Sequence, residues 1–302
     1  MKFTTDSVMT RILDELFKIY AQRVPDVKKI TNAMIERGMV SDQNEIINDH
    51  IAFRTMGVPN LGITSFEKIF LANGYKRMDF YHFATKKLDA YWYSPPSEDL
   101  PRIFISELKV EKLSPKVQNI IRFYTDSIVQ DPIDTLNLDD HKAVGKYFQT
   151  PLWDLPSLKD YELLLSESEY AAWVIYNRYY LNHYTISVHD LPNPYNKLES
   201  FNEFLSDIGI KLNTSGGIIK TSKDQLLRQS SSVANTVRAN FTNGNTKKIA
   251  GSYVEFAERS LLPEFRNLKS NKLKREHRRE GFETSNADRI FESTFTSQIK
   301  NS

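Results

Sequence analysis

The chain has 302 residues, 40 of them basic and 38 acidic, so its formal net charge is +2. This balance gives no general attraction to nucleic acid or to an anionic membrane, so neither is an expected partner. Because cysteine is absent, disulfides, thiolate nucleophiles and cysteine-ligated metal sites are excluded, and a metal would need His, Asp or Glu ligands. No stretch approaches the roughly 20 apolar residues of a membrane span, and no secretory pattern opens the chain, so a cytoplasmic protein is expected.

The hydrophobic pattern of the first part of the chain predicts a pair of helices followed by one β-α-β-β-β module. Apolar residues at helical spacing, interrupted by Pro25, predict two helices within residues 1–45. Alternation over residues 49–56 predicts a strand that places His50 and Arg54 on the same face. The rest of this first module, residues 46–112, is predicted to contain a helix over 63–72 and strands over 76–84, 88–93 and 102–110.

A helical insertion is predicted over residues 113–180, with helices at 116–129, 141–150 and 163–180. A second module of the same kind is predicted over residues 181–262. Its expected elements are a strand at 183–188, a helix at 195–208 and less distinct strands at 217–221, 225–233, 236–241 and 249–257, the last after an Asn243-Gly244 hairpin turn. The tail, residues 263–302, includes a charged stretch predicted as a helix over 271–280. Its basic side chains are expected to form a solvated helix face: Lys272, Lys274, Arg275, Arg278 and Arg279.

Two histidine and glutamate pairs occupy comparable places in the two modules. Glu107 follows His50 by 57 residues and Glu255 follows His183 by 72, each in a strand-like run. This repetition indicates a metal centre shared between the modules. Two imidazoles and one carboxylate that leave positions open are typical of non-haem iron(II) oxygenases. His50, His183 and Glu255 supply such a triad, whereas Glu107 as a fourth ligand would leave less room for a substrate and oxygen, and spacing alone does not decide between these sites.

Arg54 and His189 are further candidates for a role at this site. Arg54 lies on the face of His50, roughly 13 Å further along the strand, a distance that a small dicarboxylate spans. Its guanidinium could bind the distal carboxylate, and a local ion pair is the alternative. His189 lies on the strand face of His183 and is a minor candidate for a ligand or a neighbour of one. The histidines without matched partners are expected at the surface or in the core: His82, His141 and His277.

Four runs of sequence, residues 48–55, 226–234, 251–259 and 281–294, are similar to the 2-oxoadipate dioxygenase/decarboxylase family in the same order. The resemblance covers about residue 40 to about residue 295 and implies one catalytic domain with a vicinal-oxygen-chelate-like α+β fold. In that fold two βαβββ modules form a curved sheet around a metal. The resemblance also implies iron(II) held by His50, His183 and Glu255, with Glu107 in a supporting place. Because the substrate-binding arginine of the family lies four residues after its first metal histidine, Arg54 takes that catalytic role by resemblance.

The activity implied by this likeness is the oxidation and decarboxylation of a 2-oxo dicarboxylic acid by O2. With 2-oxoadipate the products would be 2-hydroxyglutarate and CO2, a step of lysine catabolism. Two other hypotheses remain open from the residues. One is a glyoxalase-like isomerase or lyase with zinc or nickel bound by four ligands that include Glu107. The other is a non-catalytic ligand-binding protein of the same fold that has lost its metal.

Overall fold

Two helices open the chain in the computed structural model, which describes residues 3, 6–269 and 272–300. They are α1 (Val8–Arg23) and α2 (Pro25–Glu36), as the sequence predicts. The Ser7 hydroxyl accepts a hydrogen bond from the backbone of Thr10 and caps α1. Pro25 occupies the first turn of α2, where its missing N–H costs no helical hydrogen bond.

The first half of the sheet follows directly, in the order that the sequence predicts. Its elements are β1 (Asn48–Met56), α3 (Ile63–Phe66), α4 (Lys68–Ala72), β2 (Lys76–Phe83), β3 (Leu88–Ser94) and β4 (Arg102–Leu108). Where one helix is predicted over residues 63–72, the structure has two short helices that meet at Glu67. The Glu67 carboxylate is buried and bound by Arg77 and Tyr93, which hold this junction against β2 and β3.

Four helices separate the two halves of the sheet: α5 (Pro115–Thr125), α6 (His141–Tyr147), α7 (Leu158–Glu167) and α8 (Glu169–Asn177). The prediction of a single helix over residues 163–180 is wrong. The helix is interrupted at Ser168, which has extended backbone angles and accepts a hydrogen bond from the Ala171 N–H. Ser168 is thus the N-cap of α8, and it redirects this helix toward β1.

The second half of the fold repeats the order of the first, with one additional hairpin before its last strand. Its elements are β5 (His183–Ser187), α9 (Leu198–Asp207), β6 (Lys220–Thr221), β7 (Leu227–Ser231), β8 (Thr236–Asn240), β9 (Thr246–Ala250) and β10 (Tyr253–Arg259). The turn at Asn243 and Gly244 is confirmed, with φ of 63° and 74°. It joins β8 and β9 into a separate hairpin. The prediction of a single strand over 249–257 is wrong, because Gly251 and Ser252 separate β9 from β10.

The eight-stranded sheet has the order β2-β3-β4-β1-β5-β10-β7-β6. In each half the first strand pairs in parallel with the last one, β1 with β4 and β5 with β10, while β1 and β5 pair antiparallel at the centre. The predicted α+β fold with two βαβββ modules is therefore confirmed, and the sheet is curled into a half-barrel. Aromatic residues of α1, α3 and α9 pack on one face of the sheet, through contacts such as Tyr20–Tyr184, Phe53–Phe66 and Phe201–Phe256. The opposite face carries the polar residues described below.

The C-terminal segment packs against this polar face and ends in α10 (Thr284–Ile290) and α11 (Thr296–Lys300). The helix predicted over 271–280 is wrong: the described residues 272–280 contain only short 3-10 turns, at Lys272 and at Arg275–His277, and no α-helix. Arg275 and Arg278 do not form a solvated face, because their guanidinium groups donate to the carbonyls of Leu100 (2.6 Å) and Arg259 (2.7 Å). None of the described helices is long and apolar enough to cross a membrane.

Candidate metal centre

Strand register brings two histidines and one glutamate to a single point on the polar face. His50 on β1 lies opposite Thr185 on β5, and Thr185 lies opposite Glu255 on β10. His183 is two residues before Thr185 and therefore projects from the same face of β5. The three functional side chains thus come from the central strands of the sheet, where pairing on both sides fixes the backbone.

The donor atoms of His50, His183 and Glu255 all lie within 4.8 Å of one another, and all three residues are buried. His183 Nε2 is 3.0 Å from Glu255 Oε2, and His50 Nε2 is 3.5 Å from Glu255 Oε1. Among the residues that the structure describes, this is the one group of three or more His, Asp or Glu side chains with such convergence. Two imidazole nitrogens and a carboxylate can hold a metal ion, so the donor set fits a divalent transition metal.

Each imidazole is oriented by the residue directly before it. His50 Nδ1 is 2.8 Å from Asp49 Oδ1, and His183 Nδ1 is 3.0 Å from Asn182 Oδ1. A carboxylate oxygen only accepts hydrogen bonds, so His50 must donate from Nδ1, and its Nε2 then faces Glu255 and accepts from the Thr185 hydroxyl, 3.0 Å away. Glu255 is oriented in turn by Gln229, whose amide donates to Oε1 at 2.6 Å.

Burial and neighbouring charges shift the pKa values of His50, His183 and Glu255 in different directions. Burial alone would lower the pKa of His50, but the carboxylates of Glu255 and Asp49 outweigh it and raise this pKa. Burial lowers the pKa of His183, whose neighbour Asn182 is neutral and which also feels the Arg54 cation. Burial opposes ionisation of Glu255, yet the two facing imidazoles lower its pKa well below the usual range. The carboxylate therefore stays ionised near neutral pH, as a metal ligand must.

A small cavity with mostly apolar walls lies beside the triad. Its lining comes from both halves of the sheet and from the C-terminal segment: Phe104, Gln229, Tyr253, Phe282, Ala287, Ile290 and Phe291 in addition to the triad itself. Tyr253 packs on His183 with ring centroids 4.7 Å apart, and Phe282 packs edge-on against His50 at 4.8 Å. These aromatic walls limit the access of water to the triad.

Arg54 lies deep in the same face of the sheet and is 1% exposed. It donates from Nη1 to the Thr294 hydroxyl (2.9 Å) and from Nη2 to the Phe291 carbonyl (3.1 Å), while Nε has no hydrogen-bond partner among the described residues. No described carboxylate forms an ion pair with it, so the alternative of a local salt bridge is wrong. The hydroxyl of Tyr253, a wall of the cavity, is also buried and lies beside Arg54 and Ser293 without a well-aligned hydrogen bond to either.

The suggestion that Glu107 is a fourth ligand is wrong. Register pairs His50 with Arg102 and His183 with Tyr253, so the residue of β4 equivalent to Glu255 is Phe104. Glu107 lies three residues further on and projects from the other face. There its Oε2 accepts from the Ile63 N–H at 2.7 Å and supports the start of α3. A side chain at Gly62 would collide with this carboxylate, which explains the glycine.

The other histidines are not ligands. His189 is buried behind Asp49 and accepts a hydrogen bond at Nδ1 from the Arg259 N–H, at 3.1 Å. His82 is exposed and bound to Asp89, and His277 stacks on Phe265. Asp49, Gln229, Tyr253 and Phe282 lie within the four runs given above, but no role is predicted for them. The local signal for Asp49 is the repetition of Asp-His and Asn-His at the start of the two strands.

Comparison with known proteins agrees with this geometry. The family described as 2-oxoadipate dioxygenase/decarboxylase matches residues 12–270. The chain belongs to this family. A family relative from Arabidopsis thaliana, named 2-oxoadipate dioxygenase/decarboxylase, chloroplastic, is 40% identical over 309 residues, which cover 99% of this chain and 80% of that protein.

Solved structures of this family and of related folds resemble the chain as well. The hydroxyglutarate synthase from Oryza sativa, crystallised with 2-oxoadipate, has a TM-score of 0.87 and 40% identity, covering 97% of this chain and 94% of that one. A glyoxalase superfamily protein from Ralstonia eutropha JMP134, with a TM-score of 0.64, 22% identity and coverage of 89% and 83%, shares the fold alone. The vicinal-oxygen-chelate-like fold is thereby confirmed. The expectation of a cytoplasmic location is wrong by this comparison, because the Arabidopsis relative is named chloroplastic.

Proposed function

We propose that this protein is an iron(II)-dependent dioxygenase and decarboxylase that converts a 2-oxo dicarboxylic acid and O2 into the 2-hydroxy acid one carbon shorter and CO2. 2-Oxoadipate is the proposed substrate, with 2-hydroxyglutarate as product. The observation that carries the proposal is the convergence of His50 Nε2, His183 Nε2 and Glu255 beside a small, mostly apolar cavity. Relatives that bear this activity in their names support it, and a role in lysine catabolism stays a prediction.

The proposed ligands of the iron are His50, His183 and Glu255. When bound, iron(II) would supply chelation of the 2-oxo acid and the electrons that activate O2. Asp49 and Asn182 hold the two imidazoles so that Nε2 of each faces the site, and Gln229 holds the Glu255 carboxylate. Because these groups are already oriented and buried, little reorganisation is needed when the site is filled.

The proposed role of Arg54 is to bind the carboxylate at the far end of the substrate. Five N–H groups of a guanidinium can donate, and the described contacts of Arg54 use two of them. A buried cation without a counter-ion is costly, so an anionic ligand would satisfy both its charge and its free donors. Phe291 lines the cavity, and its ring centroid lies 5.6 Å from the Arg54 guanidinium, so the methylene chain of a dicarboxylate that reached from the triad to Arg54 would meet an apolar wall.

The test is anaerobic purification, loading with iron(II) and addition of O2 with a panel of 2-oxo acids. We expect O2 uptake with 2-oxoadipate and 2-hydroxyglutarate as the product by mass spectrometry, with one CO2 released per O2 consumed. His183→Ala should abolish both iron binding and uptake, whereas the distant surface variant His82→Ala should retain both. An iron-loaded protein that consumes no O2 with any 2-oxo dicarboxylic acid would overturn the proposal.

A further inference from the structure

Asp49 is the centre of a buried cluster of ions directly behind His50. Its carboxylate accepts from His50 Nδ1 at 2.8 Å, from Arg259 Nε at 2.7 Å and from Arg102 Nη1 at 3.2 Å. The side chains of Asp49, Arg102 and Arg259 are 1%, 3% and 0% exposed. Two positive guanidinium groups face one negative carboxylate here, so a second acidic group is needed to balance the buried charge.

The second acidic partner comes from the C-terminal segment. Arg102 Nε donates to Glu280 Oε2 at 2.7 Å. Arg259 donates from Nη1 to the carbonyls of Arg279 (2.9 Å) and Gly281 (2.7 Å). Residues 279–282, here named the roof segment, are therefore bound by both arginines that bind Asp49.

The roof segment also contacts the metal site. Gly281 has a φ of 67°, a conformation that favours glycine, and it turns the chain so that Phe282 reaches His50. The rings of Phe282 and His50 meet at 90° with centroids 4.8 Å apart. The imidazole is thus held on one side by Asp49 and on another by Phe282, and the same two arginines bind both supports.

The other histidine lacks this arrangement. His183 is held by the neutral amide of Asn182 at 3.0 Å, and none of the described arginines donates to that amide oxygen. A carboxylate behind a histidine fixes the ring and increases its strength as a ligand more than an amide does. The two imidazoles of the triad are therefore not equivalent, although the modules that carry them are.

We propose that Asp49 is a positioning residue for His50, and that the cluster of Asp49, Arg102, Arg259 and Glu280 couples metal binding at His50 to closure of the roof segment. Asp49 acts through His50 and touches neither substrate nor metal. This inference rests on the proposed function, because it requires that His50 is a metal ligand. A roof segment that loosens when the cluster is broken would withdraw Phe282 from His50 and admit water to the cavity.

The first test is Asp49→Asn, with Asp89→Asn as its matched control. Asp89 makes the same contact with His82, at 2.7 Å, on the protein surface. Anaerobic titration with iron(II) should show a metal affinity lowered about 10–100-fold in Asp49→Asn, the usual effect of removing such a partner. Asp89→Asn should stay within about twofold of the parent. With cobalt(II) at saturation, the visible absorption bands should shift only in Asp49→Asn, a change that a general loss of stability would not produce.

The second test is Glu280→Gln, which leaves the residues inside the sheet unaltered. Its matched control is Glu276→Gln, because Glu276 lies in the same stretch of chain and is 68% exposed. Hydrogen–deuterium exchange of the parent should slow in the roof segment when iron(II) is added anaerobically. Glu280→Gln should lose most of this protection and bind the metal several-fold more weakly, whereas Glu276→Gln should behave as the parent does.

The outcomes separate the two proposals. A parent protein that binds no metal overturns the proposed function. A parent that binds metal, with Asp49→Asn within about twofold of it and an unchanged cobalt spectrum, overturns the positioning role alone. If Asp49→Asn fails to fold, Glu280→Gln decides: unchanged exchange in the roof segment together with unchanged metal affinity overturns the coupling.

Discussion

Replacing Arg54 with methionine should separate substrate binding from stability and from metal binding. Methionine retains much of the length and volume of the arginine side chain but no donor. If the distal carboxylate accepts two N–H groups of Arg54, each charged hydrogen bond contributes about 1.5 kcal/mol, so the loss is about 3 kcal/mol. Because about 1.4 kcal/mol corresponds to a factor of ten, kcat/KM for 2-oxoadipate should fall about 100-fold.

The assay compares 2-oxoadipate with 2-oxohexanoate, which has the same chain length but lacks the second carboxylate. The parent should strongly prefer the dicarboxylate. Arg54→Met should lose most of that preference, because its kcat/KM falls for 2-oxoadipate but not for 2-oxohexanoate. Iron affinity should change by less than about twofold. Arg23→Met is the control: like Arg54, which lies over the rings of Tyr170 and Trp173, Arg23 lies over an aromatic ring, that of Tyr180, but it belongs to α1 on the opposite face of the sheet.

The melting temperature provides an independent check on Arg54. A buried guanidinium without a carboxylate partner is desolvated at a cost that its two neutral hydrogen bonds offset only in part. Arg54→Met should therefore leave the ligand-free protein as stable as the parent, or more stable. Equal losses on both substrates, or a loss of bound iron, would refute the assignment of Arg54 to the distal carboxylate.

Three further perturbations follow from the site. Tyr253→Phe removes a buried hydroxyl that has no well-aligned hydrogen bond to its neighbours Arg54 and Ser293, so the melting temperature should change little, and a higher KM for the 2-oxo acid would show that the hydroxyl contacts substrate. Glu107→Gln should keep the bond from the Ile63 N–H and bind iron as the parent does; weaker binding would return Glu107 to the ligand set. The raised pKa of His50 means that protons compete with the metal from a higher pH than at an ordinary histidine, so apparent iron affinity should fall as the pH drops through that pKa. Titrations of iron(II) at several pH values should show this decline beginning above about 6.5, and a decline confined to lower pH would contradict it.

The convergence of His50 and His183 could be anticipated from sequence because each lies at the start of an alternating strand in one of two repeated modules, whereas the choice of Glu255 as the carboxylate comes from the family resemblance. The error over Glu107 shows where local patterns end. Its position relative to His50 depends on how β4 aligns with β1, and that alignment makes Phe104 the equivalent of Glu255. A difference of three residues along a strand moves a side chain to the opposite face, and no feature of the sequence states the register.

Other errors have different physical origins. The charged run over 271–280 has the composition of a solvated helix, but its arginines find carbonyl partners on the body of the protein. The break between α7 and α8 was open to prediction, since Ser168 is a good N-cap residue within an otherwise helical stretch. The role of Asp49 was not, because Arg259 lies 210 residues away in the chain.

The antiparallel pairing of β1 with β5 decides how a metal could be captured at all. One side of this seam brings a single imidazole, and the other brings an imidazole and a carboxylate, so neither has enough donors by itself. An ion bound by both sides would crosslink the two halves of the sheet. It would bind only to a molecule in which both halves have folded and paired. Removal of the ion by a chelator should therefore lower the melting temperature and favour separation of the two halves. The ion would then serve the stability of the assembled fold as well as the reaction.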